Sequence, residues 1–156
     1  MPWSVEKDMD DKEFLKSAIE QSELSVKQGR FPAGAVVVFD NKIVASGVSD
    51  LYPGYQHAEC RAVDEAFQKI GNLKSATLYT SMEPCLMCLA RAYWSGVRKI
   101  VFVISKASLN PRYYEGSYDG SKLIEAMNES VEYLHSADLA SEALEIVSKW
   151  EKIQKA

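Results

Sequence analysis

Phe14, Leu15, Ala18, Ile19, Ser22 and Val26 recur at intervals of three and four, the period of a helix with one buried face. They predict an amphipathic helix from about Asp10 to Lys27, closed by Gly29. Beyond Phe31-Pro32-Ala33-Gly34 the helical period stops. Ala35-Val36-Val37-Val38-Phe39 is a dense β-branched run, Asp40-Asn41-Lys42 a turn, and Ile43-Val44-Ala45-Ser46-Gly47 a second run, together predicting an antiparallel hairpin. The segment from Asp50 to Gln56 carries the turn pair Pro53-Gly54 and delivers the chain to His57 at the start of a helix. Ala62, Val63, Ala66, Phe67 and Ile70 give that helix its apolar stripe, and Gly71-Asn72 ends it.

A strand is predicted over Ala76-Thr77-Leu78-Tyr79-Thr80-Ser81, then a helix with Pro84 in an opening position and Leu89, Ala90, Tyr93 and Trp94 on its apolar side. Gly96 stops it, and Lys99–Ile104 is the next strand, the spacing of a β-α-β unit. From Lys106 to Ser121 the chain is rich in Gly, Pro, Asn, Ser and Tyr and reads as a long loop of the kind that forms a lid or a binding wall. A short helix and a fifth strand around Val131–His135 follow. A final helix, capped by Ser136 or Asp138, shows Leu139, Ala143, Val147 and Trp150 on one face. The expected architecture is a three-layer α/β/α sandwich around one mixed five-stranded sheet, with residues 1–156 forming a single domain.

Composition narrows the function classes. Hydrophobic residues make up 47% of the 156 and charged residues 26%, the balance of a compact folded chain. No apolar run is long enough to cross a bilayer, and the first residues contain no apolar signal-peptide core, so a cytoplasmic setting without membrane attachment is expected. Three cysteines leave one unpaired under any disulfide scheme, which also favours a reducing compartment. The net charge of −4 and the absence of a basic run argue against a nucleic-acid partner and favour a small substrate.

The chemistry concentrates in two short segments, His57-Ala58-Glu59-Cys60 and Pro84-Cys85-Leu86-Met87-Cys88. A spacing of three puts Cys85 and Cys88 on one helix face, where both sulfurs can reach one ion. With His57 they make a Cys2His set that leaves a fourth position for water, as in catalytic zinc sites. Glu59 is then free to carry protons. Two other readings compete: a redox Cys-x-x-Cys pair, which leaves His57-Ala58-Glu59 unexplained, and a closed structural zinc that recruits Cys60 as fourth ligand. Cys60 also fits as a small buried hydrophobe on its helix.

At these residues the chain resembles the cytidine-deaminase-like superfamily of zinc deaminases, whose pattern is H-x-E followed by P-C-x-x-C. Met82-Glu83 before Pro84 is similar to the free-base and tRNA-adenosine branches. Three further stretches resemble bacterial guanine deaminases: Phe31–Val38 matching a P-F-G-A-x-x-V strand, Ala92-Tyr93-Trp94, and Ser117–Ser121 matching F-D-D-S. The resemblance implies a Zn²⁺ cofactor on His57, Cys85 and Cys88, Glu59 as proton carrier, and hydrolytic deamination of an amino-substituted nucleobase or nucleoside, a purine such as guanine. It also implies a homodimer, and backbone groups near Ala58, Ser81 and Cys85 that position the reacting amidine.

The chain departs from that branch at Gly47-Val48-Ser49-Asp50, where an Asn usually contacts the purine, and between Lys106 and Glu115, where Asn110 is the nearest polar substitute for an acidic residue. For the substrate slot the expected contributors are Phe31 as a wall and Ser49, Asp50, Tyr55, Asn110 and Tyr118 for polarity and cover, beside Ala58. The alternatives are a tRNA-adenosine deaminase and a non-catalytic protein whose closed zinc site includes Cys60.

Overall fold

The computed structural model describes residues 10–155. Helix α1 spans Asp11–Lys27, with the Asp10 carboxylate accepting from the Glu13 amide at its N-terminus. Strands β1 (Gly34–Phe39) and β2 (Lys42–Val48) are joined by Asp40 and Asn41, both at positive φ (54° and 61°). Short polar side chains tolerate that backbone, and a two-residue turn of this hand matches the twist of paired strands. Lys42, read as part of the turn, already pairs with Phe39, and the register shifts between Val37 and Val38.

Helix α2 (Ala58–Ile70), strand β3 (Thr77–Met82), helix α3 (Leu86–Ser95) and strand β4 (Lys99–Ile104) follow, then a short helix α4 (Gly120–Glu125), strand β5 (Glu132–His135) and helix α5 (Ala140–Lys155). The sheet order is β2-β1-β3-β4-β5. Strand β1 runs antiparallel to both neighbours, whereas β3, β4 and β5 are parallel, so the sheet is mixed. Helices α1 and α5 contact each other on one face, and α2 and α3 contact each other on the opposite face. The fold is the expected three-layer α/β/α sandwich.

Between the layers lies one continuous apolar core. Leu15, Val36, Val37, Val63, Leu78, Leu89, Ile100, Val101 and Val103 are almost wholly removed from water. Strands β3 and β4 are buried along nearly their whole length, as parallel strands covered on both faces must be.

Four local expectations are corrected. Pro84 precedes the helix instead of opening it, because Cys85 takes the cap position. Trp94 is 82% exposed; the buried residues of α3 are Cys88, Leu89 and Ala92, so the helix is rotated away from the predicted face. Phe67 and Ile70 likewise lie at the exposed end of the α2 stripe. The final helix has no side-chain cap from Ser136 or Asp138; a single 3₁₀ turn, Ala137–Leu139, leads into it instead. The segment after β4 is also more ordered than a loop, with 3₁₀ turns at Lys106–Ser108 and Pro111–Tyr113.

Candidate metal centre and substrate cavity

Two helix N-termini meet at one end of the sheet. His57 is the cap residue of α2 and Cys85 that of α3, and neither uses its side chain to cap its own helix. Both side chains turn instead toward a common point. His57 Nδ1 lies 3.4 Å from Cys85 Sγ and 3.5 Å from Cys88 Sγ. On the far side of the ring, Nε2 is 2.9 Å from the Gly54 carbonyl, which only an Nε2–H can satisfy. In the neutral ring that bond leaves Nδ1 with its lone pair toward the sulfurs, the arrangement by which a neighbouring carbonyl orients a metal-ligating histidine.

The three donor atoms lie within 4.8 Å of one another. Tetrahedral zinc with ordinary Zn–N and Zn–S bonds separates nitrogen and sulfur ligands by roughly 3.5 Å, and His57, Cys85 and Cys88 match that spacing. The cluster is positioned to hold zinc, and two of its residues, His57 and Cys85, line the adjoining cavity. Cys60 stands outside this set: its Sγ is 3.4 Å from Cys88 Sγ, but it does not share the common approach of the other three donors. It is buried beside Cys88, and the set of mutually close donors that the structure gathers is His57, Cys85 and Cys88 without it.

Across the surface of the same two helices, Arg91 of α3 grips Asp64 of α2 through two parallel hydrogen bonds of 2.9 Å each. A paired fork of this kind fixes helix separation better than a single contact. It therefore bears on the distance between His57 and the two cysteines.

The electrostatics are those of a concentrated charge site. The hydrogen bond from Cys88 brings the Cys85 thiol down to about 6 against the opposing effect of burial, with His57 assisting. The same hydrogen bonds, to Cys60 and Cys85, push the Cys88 thiol up. The His57 imidazole is pushed up to about 9, first by its bond with Cys85 and then by the Glu59 charge, outweighing burial. Glu59, the second residue of α2, is 4% exposed, and burial pushes its carboxyl up to about 7, with the Cys85 charge adding to the rise.

These residues open into a cavity of about 320 Å³. Phe31, Ser49, Tyr52, Tyr113 and Tyr114 line it beside His57, Glu59 and Cys85. Phe31, Tyr52, Tyr113 and Trp150 of α5 form one aromatic wall with ring centroids 5.0 to 6.1 Å apart. Ser49 is held in place by its amide, which donates to Ser25 Oγ at 3.2 Å.

Several expected slot residues sit elsewhere. Asp50 faces its own loop: Oδ1 accepts from the Leu51 amide at 2.8 Å, and its main chain bonds Phe31 and Gln56. Asn110 lines a second cavity of about 370 Å³ that shares Tyr52, Arg112 and Tyr113 with the first, and its side chain accepts from the Arg112 amide at 3.0 Å. Tyr118 is outside the cavity lining, its hydroxyl taken up by Glu115 and the Leu86 amide. Ala58 is fully buried behind the lining, whereas Tyr55 is at the mouth and 72% exposed.

Two residues to which the sequence assigned no role are central. Glu83 accepts from the Lys106 amide at 2.8 Å and from Tyr133 at 2.7 Å, and its carbonyl accepts from Tyr114 at 2.7 Å. Glu115 accepts from both the Leu86 and Met87 amides at 3.1 Å. The only sequence signal for Glu83 was its place beside Pro84. Glu115 had none, since its partners lie 29 and 28 residues away.

The family model for the cytidine and deoxycytidylate deaminase zinc-binding region matches residues 8–104. Over 141 residues the chain is 33% identical to the tRNA-specific adenosine deaminase of Bacillus subtilis, covering 86% of this chain and 81% of that one. Over 109 residues it is 36% identical to a probable cytosine deaminase of Schizosaccharomyces pombe, covering 68% and 67%. The structure of a guanine deaminase from Bacillus subtilis superposes with a TM-score of 0.61 at 27% identity, over 92% of this chain and 95% of that one. The likeness to tRNA-specific enzymes overturns the expectation that a nucleic-acid partner is disfavoured. Net charge was a poor guide because it averages the whole surface, whereas recognition depends on the few groups around the cavity. With its His-Cys-Cys zinc site, the chain belongs to the cytidine-deaminase-like superfamily of zinc-dependent aminohydrolases, which cleave a carbon–nitrogen bond of a cyclic amidine.

Proposed function

We propose that this single-domain protein deaminates adenosine in a tRNA. The observation that carries the reading is the 33% identity to a tRNA-specific adenosine deaminase over 86% of the chain. The exposed ring of Tyr55 at the cavity mouth is in keeping with it, because unpaired bases of RNA loops stack on exposed aromatic side chains. The three free cysteines accord with a reducing, cytoplasmic setting.

Zinc on His57, Cys85 and Cys88 supplies the Lewis acidity that makes water a nucleophile near neutral pH. Glu59 does the proton work. Its buried carboxylate takes a proton from the attacking water and gives it to the ring nitrogen. As the tetrahedral intermediate collapses, Glu59 takes a second proton, from the newly added hydroxyl, and passes it to the departing amine; the carbonyl forms, the carbon–nitrogen bond breaks and ammonia leaves. Burial raises the Glu59 carboxyl above the usual carboxylate range, which favours its taking up a proton as well as giving one. Phe31, Tyr52 and Tyr113 flank the base, and Ser49 offers it a polar contact in place of the usual Asn.

A second reading, a free purine base such as guanine, is favoured by the 27% identity to a guanine deaminase over almost the full length of both chains. It is also favoured by the aromatic wall of Phe31, Tyr52 and Tyr113, which Trp150 of α5 backs. One assay separates the two. Ammonia release is measured from a tRNA anticodon hairpin containing adenosine, from the same hairpin with guanosine at that place, and from free guanine. Turnover of the adenosine hairpin alone is expected; turnover of guanine alone transfers the assignment to the second reading. Glu59→Gln protein that retains zinc is expected to lose on the order of 10²–10⁴ in rate. Near-native turnover by that variant would refute the role given to Glu59.

A further inference from the structure

We propose that Glu115 is a positioning residue that joins the segment after β4 to the zinc-binding turn of α3. The N-terminus of α3 has no side-chain cap of its own. Cys85 occupies the position where Ser, Thr, Asp or Asn would ordinarily accept from the first free amides, but its sulfur is directed to His57. The Leu86 and Met87 amides are left without a local acceptor.

Glu115, from the segment after β4, supplies it. Oε1 accepts from the Leu86 amide and Oε2 from the Met87 amide, each at 3.1 Å. Tyr118 braces the arrangement: its hydroxyl donates to Glu115 Oε1 at 2.8 Å and lies 2.7 Å from the Leu86 amide. Lys106 holds Tyr118 in turn, with Nζ donating to its carbonyl at 3.0 Å and lying 4.6 Å from its ring centroid. Both Glu115 and Cys85 line the cavity.

Two consequences follow. The carboxylate fixes the orientation of the turn that presents Cys85 Sγ and Cys88 Sγ to a common ion. It also fixes the wall formed by Tyr113 and Tyr114, since these immediately precede Glu115 in the chain. Metal geometry and substrate enclosure therefore share one anchor. Removing partners that orient metal ligands commonly weakens metal binding by about 10–100-fold.

The inference rests on the zinc reading of the cluster, and the test keeps the two separate. Zinc affinity of the purified protein is measured by competition with a chromogenic chelator, and the thiolate-to-metal charge-transfer band is recorded after cobalt(II) substitution. The parent protein is expected to bind zinc tightly; failure to do so overturns the zinc reading and this inference with it. Glu115→Gln keeps an oxygen acceptor but loses the charge and one of the two paired bonds. It is expected to bind zinc about 10–100-fold more weakly, to shift the cobalt band, and to lower kcat with little change in KM.

Tyr118→Phe, which retains Glu115 but removes its brace, is expected to fall between the two and serves if the first variant folds poorly. Ser108→Ala removes a hydroxyl pair within the same segment, 3.2 Å from Ser105 Oγ, without touching α3, and is expected to match the parent. An unchanged cobalt spectrum and zinc affinity in Glu115→Gln, or an equal loss in Ser108→Ala, would overturn the proposal.

Discussion

Glu59 is buried among groups that give it little compensation, and that fact has a measurable cost. Its carboxyl moves from an ordinary 4.5 to about 7 because burial disfavours the charged form. A raised folded-state value means that the favourable, protonated condition holds below about pH 4.5 and is lost as pH rises through 7. In zinc-stripped protein, Glu59→Gln is therefore expected to be more stable than the parent at pH 8, by at most about 3 kcal/mol. At pH 5 the two should be nearly equal. Urea unfolding in the presence of a chelator at both pH values checks this; a difference independent of pH would contradict it.

The ligands titrate in the same region. His57 at about 9 and the raised Cys88 thiol both carry protons at pH 7.5, whereas Cys85 at about 6 has largely lost its own. Zinc binding at that pH should release about two protons and strengthen as pH rises. Calorimetry in buffers of different ionisation enthalpy gives the number directly. His57, Glu59 and the cysteine pair were legible in sequence because metal chemistry restricts both residue type and spacing. Asp50 and Asn110 were misplaced because short polar side chains in loops are so readily taken up by their own neighbouring amides.

At the scale of elements, the position of α2 depends on how closely β2 can approach it. A Cβ on Gly47 would stand 2.3 Å from the Ala58 carbonyl oxygen and 2.9 Å from the Ala62 amide. Gly47→Ala must therefore push the first turn of α2 outward, and with it His57 and Glu59. The expected cost is about 1–3 kcal/mol in thermal or urea unfolding, with reduced turnover. An unchanged melting temperature would mean that strand and helix slide apart freely.

Helix and strand types were readable from period alone, because each element buries one face or both. The rotation of α3 was not. Tyr93 and Trp94 satisfy an apolar pattern, yet Cys88 must face the metal, and turning it inward carries Trp94 out to solvent. Two 3₁₀ turns were also hidden in the segment after β4, since Gly- and Pro-rich sequence marks irregular backbone without saying how tightly it is tied down.

For the molecule as a whole, how RNA can be held depends on the cations near the cavities rather than on the net charge of −4. Among the described residues, Arg112 lines both cavities, Lys155 lines the second and Lys106 lies beside Tyr118, while Arg30 is engaged with the Ser49 carbonyl. About three phosphate contacts give a slope of roughly −2 for log affinity against log salt, since single strands contribute about 0.7 per contact. Fluorescence anisotropy of the anticodon hairpin across a salt series tests this. A slope several times steeper would require a basic surface beyond these three residues. The order of strands was readable only in part, because parallel pairing of β3, β4 and β5 joins segments that are far apart in the chain.

The Arg91–Asp64 fork ties α2 to α3 from the outside, and with each side chain 42% exposed it lies within reach of salt. An ion pair in that setting contributes only about 0–1 kcal/mol and weakens as ionic strength rises. The spacing of the two helices that carry His57, Cys85 and Cys88 is therefore expected to loosen in concentrated salt, which zinc affinity followed across a salt series would register.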